Sequence, residues 1–496
     1  MMLKVRAVTA TLWGGAELLL RQGVQFVAVM VLARLLTPSD FGVIAMLSIV
    51  VGIAGVLWDG GFSAALIQRQ QVSHVDESTV FWCNLGVGAL LALTLCGAAP
   101  FIADFYRLPI LEPLTRAMAL VVLFGALGAI HSTLLTRQLD FRTQAKVSVL
   151  ASILSAVVAI ALAWHGFGVW SLAAQSVVFA VTATALLWWL HRWRPALRCS
   201  RESLYRLSGF GGYHLGSSLL EVIYSRLYTL ILGRLYGAHV LGLYNNAEVT
   251  KQMPVGFIGG LLARVALPMF SAVAGDVEML RRGVQLSVRG LMLLSAPVLL
   301  GIVALAEPLV LLMFGRQWLA SVPILRILCI AGLLYPLHAI NLHALMAQGH
   351  SRLMFRLELA KKTIGILLIA LGSMYGVMGI AWSQVAFSLI AFGINTRFTG
   401  RFLDFGAWAQ LREFTPPLLA AILMACCVYG VSLYWAPSPA QELAGLTAMG
   451  VLVFLALVRI ARLKAFYDVL AFLREGVMPQ RAGTDSASAS ASWRGK

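Results

Sequence analysis

The chain has 496 residues, of which 60% are hydrophobic and 12% charged, against roughly 25% charged residues in a soluble protein. So few charges cannot cover the surfaces of a multi-domain soluble chain, which excludes a cytosolic enzyme, a secreted disulfide scaffold and a chain that is disordered as a whole. The 38 Lys and Arg against 21 Asp and Glu give a net charge of +17. That surplus means either a nucleic-acid partner or the basic cytoplasmic loops of a membrane protein, and position decides between them.

A bilayer core about 30 Å thick takes a helix of about 20 apolar residues. In chain order the apolar runs predict spans near 11–33, 41–62, 79–102, 113–134, 146–164, 168–190 and 208–232. They continue near 244–270, 288–311, 323–346, 360–376, 378–396, 415–434 and 442–460, fourteen in all. No cleavable signal is expected, because Glu17 and Arg21 interrupt the first run and no cleavage pattern follows it. An even number of spans puts both termini on one side. With the termini cytoplasmic, 28 Lys and Arg fall in cytoplasmic segments, Lys361 and Lys362 among them. Six fall opposite (Arg34, Arg107, Arg116, Arg234, Arg316, Arg326) and four inside helices (Arg21, Arg226, Lys251, Arg264). The basic surplus is then mostly orientation. No loop is long enough to build a domain, so no nucleic-acid partner is expected.

Six cysteines are scattered, Cys426 and Cys427 adjacent, without metal-ligand spacing; free thiols are expected, and neither a metal nor a cofactor is implied. His131, His214, His338 and His343 likewise lack a diagnostic spacing. Trp188, Trp189 and Trp193 beside a basic segment read as an interface belt.

Three stretches repeat in the same order. Residues 33–42 align with 233–242 at an offset of 200, and 116–142 with 326–352 at an offset of 210. Gly166-Phe167-Gly168-Val169-Trp170-Ser171 then resembles Gly376-Val377-Met378-Gly379-Ile380-Ala381. The expected architecture is an all-α integral membrane protein of about fourteen transmembrane helices, with two parallel six-helix lobes plus two C-terminal helices. Its divisions are an N-terminal lobe over 1–200, a C-terminal lobe over 201–400, helices 13 and 14 with a cytoplasmic extension over 401–475, and a disordered tail over 476–496. Parallel repeats of this kind are a transporter signature and imply rocking between two openings.

Leu32-Ala33-Arg34-Leu35-Leu36-Thr37-Pro38-Ser39-Asp40-Phe41-Gly42 resembles the opening signature of bacterial polysaccharide flippases. Asp59-Gly60-Gly61-Phe62-Ser63-Ala64-Ala65-Leu66-Ile67-Gln68-Arg69 and Leu241-Gly242-Leu243-Tyr244-Asn245-Asn246-Ala247 resemble the colanic-acid and teichuronic-acid exporter branch. The likeness covers most of residues 10–400. It implies the multidrug/oligosaccharidyl-lipid/polysaccharide exporter superfamily, with two lobes facing each other in a V. It also implies a substrate: an oligosaccharide on a polyprenyl pyrophosphate, moved from the inner to the outer leaflet of the cytoplasmic membrane for exopolysaccharide or lipopolysaccharide biosynthesis. A polysaccharide polymerase and other assembly proteins are the partners such a role implies.

Charges inside apolar helices need a partner or a wet cavity. Glu17 and Arg21 stand four apart on one helix face, either as a self-neutralising pair or as cavity lining with Arg21 offering its guanidinium to a phosphate. Family members hold the lipid pyrophosphate with cavity arginines on the first and eighth helices, and Arg21 and Arg264 match those by helix and depth. Asp59 is a neighbour at that depth. The offset of 200 equates Arg21 with Glu221, whose spacing of five from Arg226 suits partners elsewhere. Glu248 and Lys251 read as an outer-gate salt bridge or as snorkelling residues. These eight charges cancel. A pathway for an anion therefore needs its acids paired or protonated for part of the cycle, and Glu17, Asp59 or Glu221 could carry a coupling proton. Glycines 14, 15, 209, 211 and 212 and Pro254, Pro268, Pro297 and Pro336 read as close packing or as hinges. The alternatives are a cation-coupled multidrug exporter of the same superfamily, a membrane-embedded polysaccharide polymerase or ligase, and a scaffold. The two arginines and the polysaccharide signatures favour a flippase, not an enzyme.

Overall fold

The computed structural model describes residues 20–69, 71–435 and 438–468. They are helical almost throughout, with no strand among the described residues. Helix α1 spans 20–35, followed by α2 (Pro38–Asp59), the short α3 (Phe62–Gln68), α4 (His74–Tyr106), α5 (Leu111–Arg137), α6 (Phe141–Trp164) and α7 (Val169–Leu190). Then come α8 (Arg201–Ala272), α9 (Val277–Ala304), α10 (Ala306–Met313), a 3-10 turn over Arg316–Ser321, α11 (Val322–Gly332) and α12 (Tyr335–Ala347). The described chain closes with α13 (Ser351–Ser373), α14 (Gly376–Leu403), α15 (Ala407–Ser432) and α16 (Pro439–Ile460).

Eleven helical stretches among the described residues are long and apolar enough to cross a bilayer. Each of the expected spans meets helix. The spans near 208–232 and 244–270 are the two helical parts of α8, which meet at the non-helical Gly237, with φ 79° and ψ 178°. The span near 360–376 is the later part of α13, which begins at Ser351 and carries Arg352, Arg356, Glu358, Lys361 and Lys362 within the helix.

Local chemistry fixes the helix starts. Thr37 and Asp40 cap α2 reciprocally: Asp40 Oδ2 accepts from the Thr37 amide at 2.9 Å while Pro38 opens the first turn. Ser73 and Asp76 do the same for α4. Asp140 caps α6 through the Thr143 amide, and Asp276 caps α9.

The chain forms two compact units. The first contains residues 1–252, 306–331 and 359–387. There α5 packs on α4 and α7 through small residues; a Cβ on Gly88 would lie 2.5 Å from that of Ala126. The segment after α7 is strapped to α4, because Trp82 Nε1 donates to the Ala196 carbonyl at 2.9 Å and Ser78 Oγ accepts from the Ala196 amide at 2.9 Å. Trp188 and Trp193 are half-buried with their indoles donating to the Leu127 carbonyl and Glu77, so the belt reading suits only Trp189, which is 78% exposed.

The second unit contains residues 253–305, 332–358 and 388–496. Its core is α9 against α12, α15 and α16. Gln410 Nε2 reaches Asn341 Oδ1 at 2.8 Å, the Phe405 carbonyl at 3.1 Å and Thr399 Oγ1 at 3.2 Å. Asn341 Nδ2 donates back to Gln410 Oε1 at 3.0 Å, so α12, α14 and α15 share one satisfied buried network.

Candidate functional site

The first signature, Leu32 to Gly42, is a corner between α1 and α2 in the first unit. Its carbonyls are left over at the end of α1. The Ala33 carbonyl accepts from Gln317 Nε2 at 2.6 Å and Trp318 Nε1 at 2.8 Å, and the Leu36 carbonyl accepts from Gln317 at 2.9 Å. Arg34 donates to the Leu312 carbonyl. Phe41 stands edge-on to Trp318 with ring centroids 5.2 Å apart.

Gly42 ends this signature for a steric reason. A Cβ there would fall 1.8 Å from the Ala238 carbonyl oxygen, and one on Gly242 would fall 1.8 Å from the Pro38 carbonyl oxygen. These four residues are equated pairwise by the offset of 200, so the contact is reciprocal, as a two-fold axis between repeats requires. Along α2 the approach to α8 continues antiparallel: Gly52 lies against Val222, and Gly61 against Gly211, where a Cβ on Gly61 would meet the Gly211 oxygen at 2.3 Å. Gly60 and Gly61 hold left-handed backbone, φ 57° and 74°, which turns the chain from α2 into α3 at that close contact.

The predicted charged residues fall as follows. Glu17 lies outside the described residues, and so does the side chain of Arg264, although its backbone is helical within α8. Arg21 is half-buried on α1 in the first unit. Asp59, half-buried at the end of α2, accepts from Ser63 Oγ; Thr133 Oγ1 in turn donates to Ser63 Oγ at 2.8 Å. Glu221 accepts from Lys362 Nζ at 2.6 Å, and the same ammonium stands 5.8 Å from the Tyr224 ring centroid. Arg226 is half-buried on the same helix. Glu248 and Lys251 form an ion pair at 2.7 Å with both side chains largely buried.

Lys361 and Lys362, counted from hydropathy in a cytoplasmic segment, both lie within helix α13. Lys361 is ten residues into α13, about 15 Å along its axis, and only 6% exposed. The repeat carried the missing signal. Under the offset of 210, the start of α6 at Phe141 maps onto Ser351, where α13 begins. Among the described residues of the first unit, the predicted cations Arg21, Arg226 and Lys251 equal in number the acids Asp59, Glu221 and Glu248, and Lys361 and Lys362 add two cations from α13. Cations now outnumber acids, and each of the three acids has a hydrogen-bond donor.

Known proteins match the chain along most of its length. A family model described as polysaccharide biosynthesis protein matches residues 31–323, and one described as lipid II flippase MurJ matches residues 225–446. The teichuronic acid biosynthesis protein TuaB of Bacillus subtilis is 29% identical over 414 residues, covering 83% of this chain and 86% of the relative. The succinoglycan biosynthesis transport protein ExoT of Rhizobium meliloti is 29% identical over 449 residues, covering 88% of this chain and 89% of its own. Among solved structures, the lipid II flippase MurJ in an inward closed conformation superposes with a TM-score of 0.75 at 13% identity, covering 92% of this chain and 99% of that one. The fold is therefore that of a known all-α membrane transporter.

Proposed function

The chain belongs to the polysaccharide biosynthesis protein family, and on that premise we propose that it flips a polyprenyl-pyrophosphate-linked oligosaccharide across the cytoplasmic membrane by alternating access. The observation that carries this reading is the pair of lysines on α13, Lys361 buried and Lys362 on Glu221, which we place at membrane depth so that cations outnumber acids there. An anionic head group needs such a surplus to leave water for a low-dielectric path. The relatives named for teichuronic acid and succinoglycan support the same class of cargo.

The substrate pyrophosphate pairs with Arg21 and Arg264, whose forked guanidinium groups suit bidentate contact with phosphate oxygens. The glycan occupies the wet interior while the polyprenyl chain stays in lipid. The two repeats act as six-helix lobes within a set of fourteen spans, both termini being cytoplasmic in the bacterial inner membrane. The reciprocal contact of Gly42 with Ala238 and of Gly242 with Pro38 is the closed state of one gate, and Gly61 against Gly211 that of the other. Glu221, Arg226, Glu248 and Lys251 bias the gates through their pairing, and a polysaccharide polymerase takes up the product.

Replacing Arg21 or Arg264 with Ala is expected to lower export at least about 100-fold, the loss of one bidentate phosphate contact, with protein level unchanged. Export of labelled glycan by cells carrying each variant measures this. Full activity in both variants would overturn the assigned pyrophosphate site.

A further inference from the structure

The second unit contains a cavity of about 570 Å³ between the start of α9, the start of α15 and the segment after α16. Arg281, Gln285 and Arg289 face it from α9 at intervals of four, Arg412 from α15, and Arg462 and Lys464 from the segment that follows α16. Two of these cations are committed. Arg289 bonds Glu413 and, at 3.0 Å, Asp468; Arg281 faces Asp404 at 3.3 Å. The side chains of Arg412, Arg462 and Lys464 make no ion pair or hydrogen bond among the described residues. Arg462 moreover holds left-handed backbone, φ 46°, a conformation that a non-glycine residue adopts rarely and at a cost.

An apolar track leaves this cavity. Trp408, Arg412, Pro416, Leu419 and Leu423 lie on one face of α15, at steps of four, four, three and four residues. Trp408 is 82% exposed, and Leu419 and Leu423 are each more than half exposed. On α16, exposed Leu452 and Leu455 precede exposed Arg459 at helical spacing. Cations give way to bare leucine within two turns, as at a bilayer interface. A soluble anion would use the cations and leave the track empty.

We propose that this cavity binds the phosphate of an anionic phospholipid headgroup, with the acyl chains lying along the exposed face of α15. Basic pockets between transmembrane helices bind such headgroups, and here cations without ion pairs stand beside exposed apolar surface. The site is separate from the transport residues and holds whether or not the flippase reading does. Its effect is to anchor α15 and α16 in one leaflet.

Native mass spectrometry of the purified full chain tests this with phosphatidylglycerol and phosphatidylcholine of identical acyl chains. Phosphatidylglycerol is expected to be retained at least about fivefold better. The variant R412Q/R462Q/K464Q, altered only at exposed positions, loses that preference, whereas R412K/R462K keeps it. The control R192Q/R198Q/R201Q removes three exposed cations from the other unit and changes retention by less than about twofold. L419Q/L423Q weakens retention without abolishing headgroup preference. Equal loss in the cavity variant and the control would overturn the site in favour of diffuse attraction. Displacement of the lipid by equimolar glycerol 3-phosphate, or by polyprenyl phosphate, would overturn its assignment to a phospholipid.

Discussion

Single residues explain why the signatures read as they do. Gly42 and Gly61 stand where no side chain fits, Thr37 and Asp40 close a cap, and Phe41 covers Trp318. His191, just beyond α7, belongs to this scale as well. Burial is the main cause that lowers its pKa below the ordinary 6.5, with Arg194 acting in the same sense and Glu77 and Asp140 opposing. Its folded value is depressed, so the unfolded chain takes up the proton first as pH falls through 6.5. Stability contributed by neutral His191 is therefore present above that pH and is lost below it. Thermal unfolding between pH 7.5 and 5.5 should show a falling midpoint that His191→Gln makes flatter; identical slopes in the two proteins would contradict this. Of the charged positions, the Glu248–Lys251 pair was legible in its spacing of three, and the distant partners were not. Glu221 finds Lys362 some 141 positions away, a pairing that no local spacing announces.

At the scale of elements, α2 against α8 is the contact with the most exacting geometry. Gly42→Ala or Gly242→Ala drives a Cβ into a carbonyl oxygen of the facing helix. Each should cost about 1–3 kcal/mol, as overpacking does, and separate the helices at that end. Gly52→Ala is the control: its Cβ would meet only Val222 Cγ1 at 3.5 Å, an ordinary contact. It should be neutral or slightly stabilising. Thermal unfolding of the three variants checks this, and equal effects would contradict the reciprocal contact. In the second unit, Gln410→Leu leaves Asn341 Oδ1 and the Phe405 carbonyl without this partner. Each buried unsatisfied group costs about 1–3 kcal/mol, so a lowered unfolding midpoint is expected, and an unchanged one would show the network to be dispensable. The start of α13 was the boundary least legible from hydropathy. Charge at the start of α13 reads as loop in an averaged window, although its repeat partner α6 marks the true start. Gly237 separates the two helical parts of α8, at the interval between the two expected spans.

At the scale of the whole molecule, composition already dictated a helical membrane protein, and a fold shared with the lipid II flippase agrees with it. Three weak matches in register pointed to a duplication, and the glycine contacts equate the same positions under the offset of 200. Less legible was the sign of the pathway. Eight charges that cancel in the sequence become a cationic surplus only on the proposal that Lys361 and Lys362 of α13 lie at membrane depth. The flippase reading rests on that surplus and on the family. Its most direct test follows the leaflet in which the polyprenyl-pyrophosphate-linked glycan resides after the protein is depleted from cells. The predicted result is glycan that accumulates facing the cytoplasm, out of reach of a membrane-impermeant sugar-oxidising reagent applied to intact cells. Glycan that still reaches the outer leaflet at an undiminished rate would contradict it.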